Sequence, residues 1–306
     1  MTTATLPNTA AGRRFAGSPE LPDVSQRRAF FAEQGFWIDY EAVSAEEVDA
    51  LNADALRICR GGYGEFRGYV GPHDGQSDDE VMKRYLCIHF PHKTSQLMHD
   101  TLAHPAIVDT LTDVIGPDVK CMQSMLFIKA AGKPGQAWHQ DEDYIPTRDR
   151  SLAGAWIALD DATIDNGCLW VIPGSHKHGI LWPQHQQDDP RFDCAAESGG
   201  FPYSDDDAVP VEVPKGSIVY FNGYLLHRSL PNTRTTGYRR VLVNHYMSAS
   251  SLLPWRPPDP EYGPQMALCD DRDIVMIAGN DPYAWKGLTD HRKPHVRPSG
   301  EGGCDR

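Results

Sequence analysis

The stretch Trp138-His139-Gln140-Asp141 carries the densest chemical signal in the sequence. Alternate side chains of an extended strand share one face, so His139 and Asp141 would project together and hold a metal ion between them. A second histidine from a distant strand would complete three ligands on one face of an octahedron, leaving the other positions for a bidentate cosubstrate and oxygen. His227, 86 residues beyond Asp141 in VYFNGYLLHRSLPN, follows a β-rich run and is the best candidate. Alone, H-x-D is a weak pattern, because a hydrogen-bonded histidine beside acids such as Glu142 and Asp143 gives the same letters.

An arginine strengthens it. Arg239 lies twelve residues past His227, with Arg240 beside it, and a guanidinium fork matches the distal carboxylate of a keto acid as a bidentate pair. Alternation along RRVLVNHYM puts Arg239 with Val241, Val243 and His245 on one face and Arg240 with Leu242 and Asn244 on the other. Both faces are mixed, so the pattern does not choose between the two arginines.

These residues need a rigid frame. From Val119 onward CMQSMLFIKA, GAWIALDDA, GCLWVIPGS, AVPVEVP, SIVYFN and RRVLVNHYM form short β-rich runs broken by Gly, Pro, Asn and Asp, the pattern of an antiparallel sandwich or barrel. The preceding part reads mostly as helix. SQRRAFFAEQG leads into an extended FWIDY; SAEEVDALNADALRICRGG pairs Ser44 with Glu47 as a capping box; TSQLMHDTLAHPAIVDTLTDVIG is helical on either side of Pro105. The polar insertion 184–207 reads equally as a lid or as a surface loop, and residues 61–79 read as a loop.

With hydrophobic residues at 40% and charged residues at 23%, the chain can form a real core. A net charge of −13 repels nucleic-acid backbones and anionic membranes, so neither is expected as a partner. No apolar run is long enough to span a membrane. Seven cysteines, widely spaced and without a C-x-x-C pair, suggest neither a disulfide framework nor a zinc ribbon and point to a reducing, cytoplasmic setting. The oligomeric state is not readable.

At M-L-F-I-K (125–129), W-H-Q-D-E-D-Y (138–144), G-A-W-I-A-L-D-D-A (154–162), N-G-C-L-W-V-I-P-G-S-H (166–176) and H-R-S-L-P-N (227–232) the chain resembles the phytanoyl-CoA dioxygenase family of iron(II)/2-oxoglutarate oxygenases. The likeness runs from about Gln26 to Met247. It implies a mainly β fold with flanking helices around a double-stranded β-helix, the cupin-like jelly roll. It further implies that His139, Asp141 and His227 bind Fe(II), that Arg239 and Ser229 hold the remote carboxylate of 2-oxoglutarate, and that Met125, Tyr144 and Trp156 line the cosubstrate pocket. In the family the arginine usually follows the distal histidine by about eleven residues; Tyr238 stands there, and an extra residue in TRTTG (233–237) would restore the match to Arg239. The implied reaction uses O2 to hydroxylate a small organic molecule, with release of succinate and CO2. Asp141 favours hydroxylation over halogenation, since halogenating relatives replace this carboxylate with a small residue.

The expected organisation is a flexible tail over 1–24, one domain over 25–290 (helical scaffold 25–118, β-helix core 119–250, C-terminal extension 251–290) and a disordered tail over 291–306. Among further residues, His89, His92 and Lys93 read as packed or exposed rather than bounding the pocket. Lys129 reads equally as a pocket-entrance residue or an exposed strand-end lysine. Trp138, Trp170 and Trp182 read as core, His176 as structural, and His245 as a pocket neighbour or core filler. Two rival readings use the same barrel. One is a cupin-like metal-dependent hydrolase or isomerase, which has no need of the arginine; the other is a non-catalytic small-molecule-binding barrel, which has no need of an intact ligand set.

Overall fold

The structure, a computed structural model, describes residues 14–193, 196–254 and 270–298. Five helices occur among them: α1 Arg27–Gln34, α2 Ala45–Cys59, α3 Asp78–Met82, α4 Gln96–Thr101 and α5 Pro105–Val114. Ser44 and Glu47 close the expected capping box on α2, and Pro105 opens α5 at a position where its missing N–H costs nothing. The strands are β1 Phe36–Asp39, β2 Tyr85–His89, β3 Val119–Ala130, β4 Gln136–His139, β5 Ala153–Ala158, β6 Leu169–Val171, β7 Gln184–Gln186 and β8 Ala196–Ser198. There follow β9 Val209–Val211, β10 Ile218–Asn222, β11 His227–Ser229, β12 Tyr238–Ser248, β13 Val275–Ala278 and β14 His295–Pro298.

Two antiparallel sheets make the jelly roll. The larger runs β1-β10-β5-β12-β3-β2-β14, with β13 also on β3; the smaller runs β4-β11-β6-β9. Strand alternation divides the core into two layers. Trp156, Ala158, Val219, Phe221, Val241 and Val243 point between the sheets to meet Leu169, Val171 and Val211 of the smaller one. Their neighbours Ala155, Ile157, Tyr220, Leu242 and Tyr246 point outward, onto Val48, Leu51, Ala55 and Ile58 of α2 and Ile107 and Leu111 of α5. Each fully buried Val, Leu, Ile or Phe among them contributes about 1.5–3 kcal/mol. The helices therefore buttress the larger sheet, while the smaller sheet closes over the inner face that carries Arg239 and His245.

The ends of the chain depart from expectation. The anticipated loose tail is held over 14–24: Ser18 Oγ donates to the Glu212 carbonyl, Tyr40 Oη donates to that of Pro19, and the Arg14 guanidinium lies 4.7 Å above the Tyr40 ring. Residues 1–13 lie outside the described residues. The scaffold region also contributes β1 and β2 to the main sheet, so it is not purely helical.

The tail expected to be disordered from 291 is instead ordered through 298, where β14 pairs with β2 and places His295 opposite His89. A cluster of ion pairs fixes it. Asp271, its side chain fully buried, binds both Arg292 and His291, the latter at 3.1 Å. Arg272 pairs with Asp281, and Asp273 pairs with Lys93 and accepts from the backbone N–H of Arg292 at 2.7 Å. Residues 255–269 of the C-terminal extension and 299–306 of the tail lie outside the described residues.

The insertion 184–207 is tied down as well. β7 and β8 form a hairpin, and Phe201 and Tyr203 pack on Trp138, Trp170 and Trp182. Gly135 donates to the Arg191 carbonyl and accepts from Asp193. The three tryptophans thus form a small satellite core, with Arg228 stacked on Trp138 at 4.5 Å.

Candidate active site

β4 and β11 are paired so that His139 and His227 are direct Cα partners, with ring centroids 4.1 Å apart. Asp141 was expected on the same strand as His139, but β4 stops at His139 and Asp141 opens a short 3-10 turn. The extended backbone of Gln140 (φ −128°, ψ 127°) carries the alternation one residue further and keeps Asp141 on the side of His139. His227 follows β10 after a short turn, as expected, and itself opens β11. Asp141 Oδ1 lies 3.7 Å from His139 Nε2 and 3.6 Å from His227 Nε2, and one ligand atom from each of the three falls within 4.8 Å of the others.

The surroundings fit this set to a divalent metal. His139 Nδ1 lies 2.8 Å from the Ala137 carbonyl and His227 Nδ1 lies 3.0 Å from that of Leu225. A carbonyl only accepts, so each Nδ1 carries the hydrogen and each Nε2 keeps a lone pair for a metal. Burial, helped by His227, pushes His139 down to about 4, so it is neutral at neutral pH and ready to ligate. Burial acts to raise the Asp141 carboxyl, but His227, His245 and His139 outweigh it and hold the group well below the usual carboxylate range. The second oxygen is occupied: His245 Nε2 donates to Asp141 Oδ2 at 2.9 Å, leaving Oδ1 toward the histidines.

A cavity of about 500 Å³ opens from this cluster, lined among others by Met125, Trp156, Tyr144, Ser229, Arg239 and His245. The register of β12 resolves the two arginines. Arg239 is buried, its guanidinium 5.4 Å from the Trp156 ring and its Nε donating to the Gly167 carbonyl at 3.0 Å. Burial lowers it to about 10, so it remains charged at neutral pH. Arg240 faces away from the cavity and binds Asp160 through Nε and Nη2 at 2.8 and 2.6 Å. Tyr144 lies beside His139, at 6.2 Å between centroids, and its hydroxyl accepts from Gln184.

Several secondary residues take definite places. Lys129 is 4% exposed and buried behind Ser229, so it is neither an entrance nor an exposed residue. His92 is buried against Ser124, and burial pushes it down to about 4. His176 contacts the Ala32 carbonyl and locks the end of α1. His89 does line the cavity, stacked on His295 at 4.4 Å with the rings nearly parallel.

Residues 31–241 match the sequence model of the family described as phytanoyl-CoA dioxygenase. The chain belongs to that family. A phytanoyl-CoA dioxygenase of Arabidopsis thaliana is 41% identical over 113 residues, covering 36% of this chain and 38% of that protein. The chain thus spans well under two thirds of that relative's length. Among solved structures, the non-heme monooxygenase ThoJ superposes with a TM-score of 0.63 at 20% identity, covering 90% of this chain and 89% of its own. The epimerase SnoN, in complex with Fe3+, alpha ketoglutarate and nogalamycin RO, gives 0.59 at 20% identity, covering 80% and 93%. These likenesses carry the jelly-roll fold.

Gln123, Gln184, Arg292 and His295 also line the cavity of this phytanoyl-CoA dioxygenase family member and escaped sequence reasoning. The last two lie beyond residue 241, where the family match ends. His245 had a usable signal, the parity that groups it with Arg239. Arg292 and His295 had none, since a short polar segment after a long irregular stretch shows no periodicity.

Proposed function

We propose that the protein is an Fe(II)- and 2-oxoglutarate-dependent dioxygenase that hydroxylates a small organic molecule, with His139, Asp141 and His227 as the metal ligands. The observation that carries this reading is one cavity holding both a two-histidine, one-carboxylate donor set and a buried, charged arginine that meets no carboxylate among the described residues. The donor set suits iron with open positions. Arg239 suits a bidentate carboxylate, which a hydrolase or isomerase on the same barrel does not require. A non-catalytic barrel has no use for two histidines whose tautomers are both preset for ligation.

When bound, iron(II) with 2-oxoglutarate and O2 supplies the oxidising power to functionalise a C–H bond, with succinate and CO2 as coproducts. The chain's own residues bind and orient. His245 holds the Asp141 carboxylate in place; Arg239 and Ser229 receive the carboxylate of the keto acid remote from the metal; Met125, Trp156 and Tyr144 pack along it. The cavity volume lies in the range of small-molecule sites. A charge of −13 disfavours nucleic acid as a partner, and among the described residues no helix is long and apolar enough to cross a membrane. A cytoplasmic location is in keeping with Cys59, Cys87, Cys121 and Cys168, which are buried free thiols.

Anaerobic titration of the apoprotein with iron(II) and then 2-oxoglutarate should produce the weak visible charge-transfer band of a chelated keto acid. Iron binding without that band would move the assignment to the hydrolase or isomerase. Because SnoN is an epimerase on the same fold, the product decides the outcome: hydroxylation requires one added oxygen atom for each succinate released.

A further inference from the structure

Behind the Arg239 end of the cavity lies a buried lysine. Lys129 lies near the end of β3, directly opposite Arg239 in the ladder. Its Nζ donates to Ser229 Oγ at 2.9 Å, to the Leu230 carbonyl at 2.7 Å and, more weakly at 3.4 Å, to the Gly167 carbonyl that Arg239 also uses. Among the described residues neither Lys129 nor Arg239 has a carboxylate partner. Burial, and then the charge of Arg239, lower the Lys129 ammonium well below its ordinary value.

The geometry also dictates what Ser229 can do. A hydroxyl has two lone pairs and one hydrogen. Ser229 Oγ already accepts from Lys129 Nζ and, at 3.3 Å, from the backbone N–H of Gln136. With both lone pairs engaged, only the hydrogen remains, and Ser229 lines the cavity together with Arg239. Gly167 allows this arrangement. It sits at φ +82°, and a Cβ there would fall 2.3 Å from the Leu230 carbonyl oxygen and 2.9 Å from Lys129 Nζ.

We propose that Lys129 is a positioning residue for the remote carboxylate of the keto acid: by donating to Ser229 it makes that hydroxyl an obligatory donor beside Arg239. This inference rests on the keto-acid reading above. It assigns the dicarboxylate selectivity of the site to three residues, of which Lys129 acts from behind without lining the cavity. A lysine that merely tied the Leu230 and Gly167 loops together would have no bearing on which acid binds.

The test compares two ligands on iron(II)-loaded protein, kept anaerobic and followed by calorimetry: 2-oxoglutarate, and 2-oxopentanoate, which has the same carbon chain without the remote carboxylate. Lys129→Met should weaken 2-oxoglutarate binding by about tenfold or more and leave 2-oxopentanoate within about twofold. Ser229→Ala should do the same, and the double variant should be no more than about twofold worse than the weaker single one, because both changes remove the same donor. Unchanged selectivity in Lys129→Met, or losses that multiply in the double variant, would overturn the proposal. If Lys129→Met does not fold, Lys129→Leu, which likewise has no donor for Ser229 Oγ, replaces it and is read the same way. Wild-type protein that fails to prefer 2-oxoglutarate refutes the keto-acid reading itself, a distinct result.

Discussion

The Arg239 end of the cavity and the wall contributed by the C-terminal segment are built by different means. At the first, Met125, Ser229, Arg239 and Val243 stand on strands, and ladder register fixes which way the facing pairs point: Arg239 opposite Lys129 and Val243 opposite Met125. At the second, Arg292 and His295 reach the cavity on a segment anchored by the charges of Asp271 and Asp273 and by one short strand. Backbone pairing holds the first. Ion pairs, with the short ladder to β2, hold the second.

If that division is correct, variants should fall on one side of it or the other. The largest effect belongs to Asp141→Ala, which should abolish iron binding while circular dichroism shows the fold intact; retained iron affinity would remove Asp141 from the ligand set. Arg239→Ala should raise the 2-oxoglutarate requirement by about a hundredfold, measured as the half-saturating concentration for succinate release. Arg240→Ala, breaking a partly exposed pair with Asp160, should leave that requirement unchanged and cost about 1 kcal/mol or less in denaturant unfolding.

His245→Leu should weaken iron by ~10–100-fold, the usual scale for a residue that orients a ligand from behind, while 2-oxoglutarate affinity at saturating iron stays level. The smallest effects are expected at the wall: Arg292→Ala and His295→Ala should shift the KM of the organic substrate by about three- to tenfold without changing substrate-free turnover of 2-oxoglutarate. Equal changes in both quantities would erase the distinction between the two regions.

The same division marks what the sequence made legible. Strand geometry turns residue parity directly into direction, so the H-x-D spacing points to the proposed ligands His139 and Asp141, and parity along β12 groups Arg239 with His245. Parity alone left Arg239 and Arg240 unresolved; the structure separates them through Asp160, a partner on a different part of the chain that claims Arg240. Lys129, followed by Ala-Ala-Gly-Lys, looks like the exposed end of a strand. Its burial depends on carbonyls at 167 and 230 that no local pattern announces. β14 is four residues long, contains proline and follows a polar stretch, so neither period nor propensity reveals it. The fold class was readable from repeated strand signals, whereas the ends of the chain, held by contacts to residues distant in sequence, were not.

β14 has a consequence beyond the cavity. It is the last strand of the larger sheet and covers the outer edge of β2, whose Tyr85-Leu86-Cys87-Ile88 are all buried. A chain ending before His295 would present unpaired main-chain N–H and C=O groups along that apolar strand, a template on which a second molecule can add. β14 thus closes an edge of the larger sheet that would otherwise be open. Shortened variants should gain mass in light scattering as their concentration rises, where point variants of Arg292 and His295 do not.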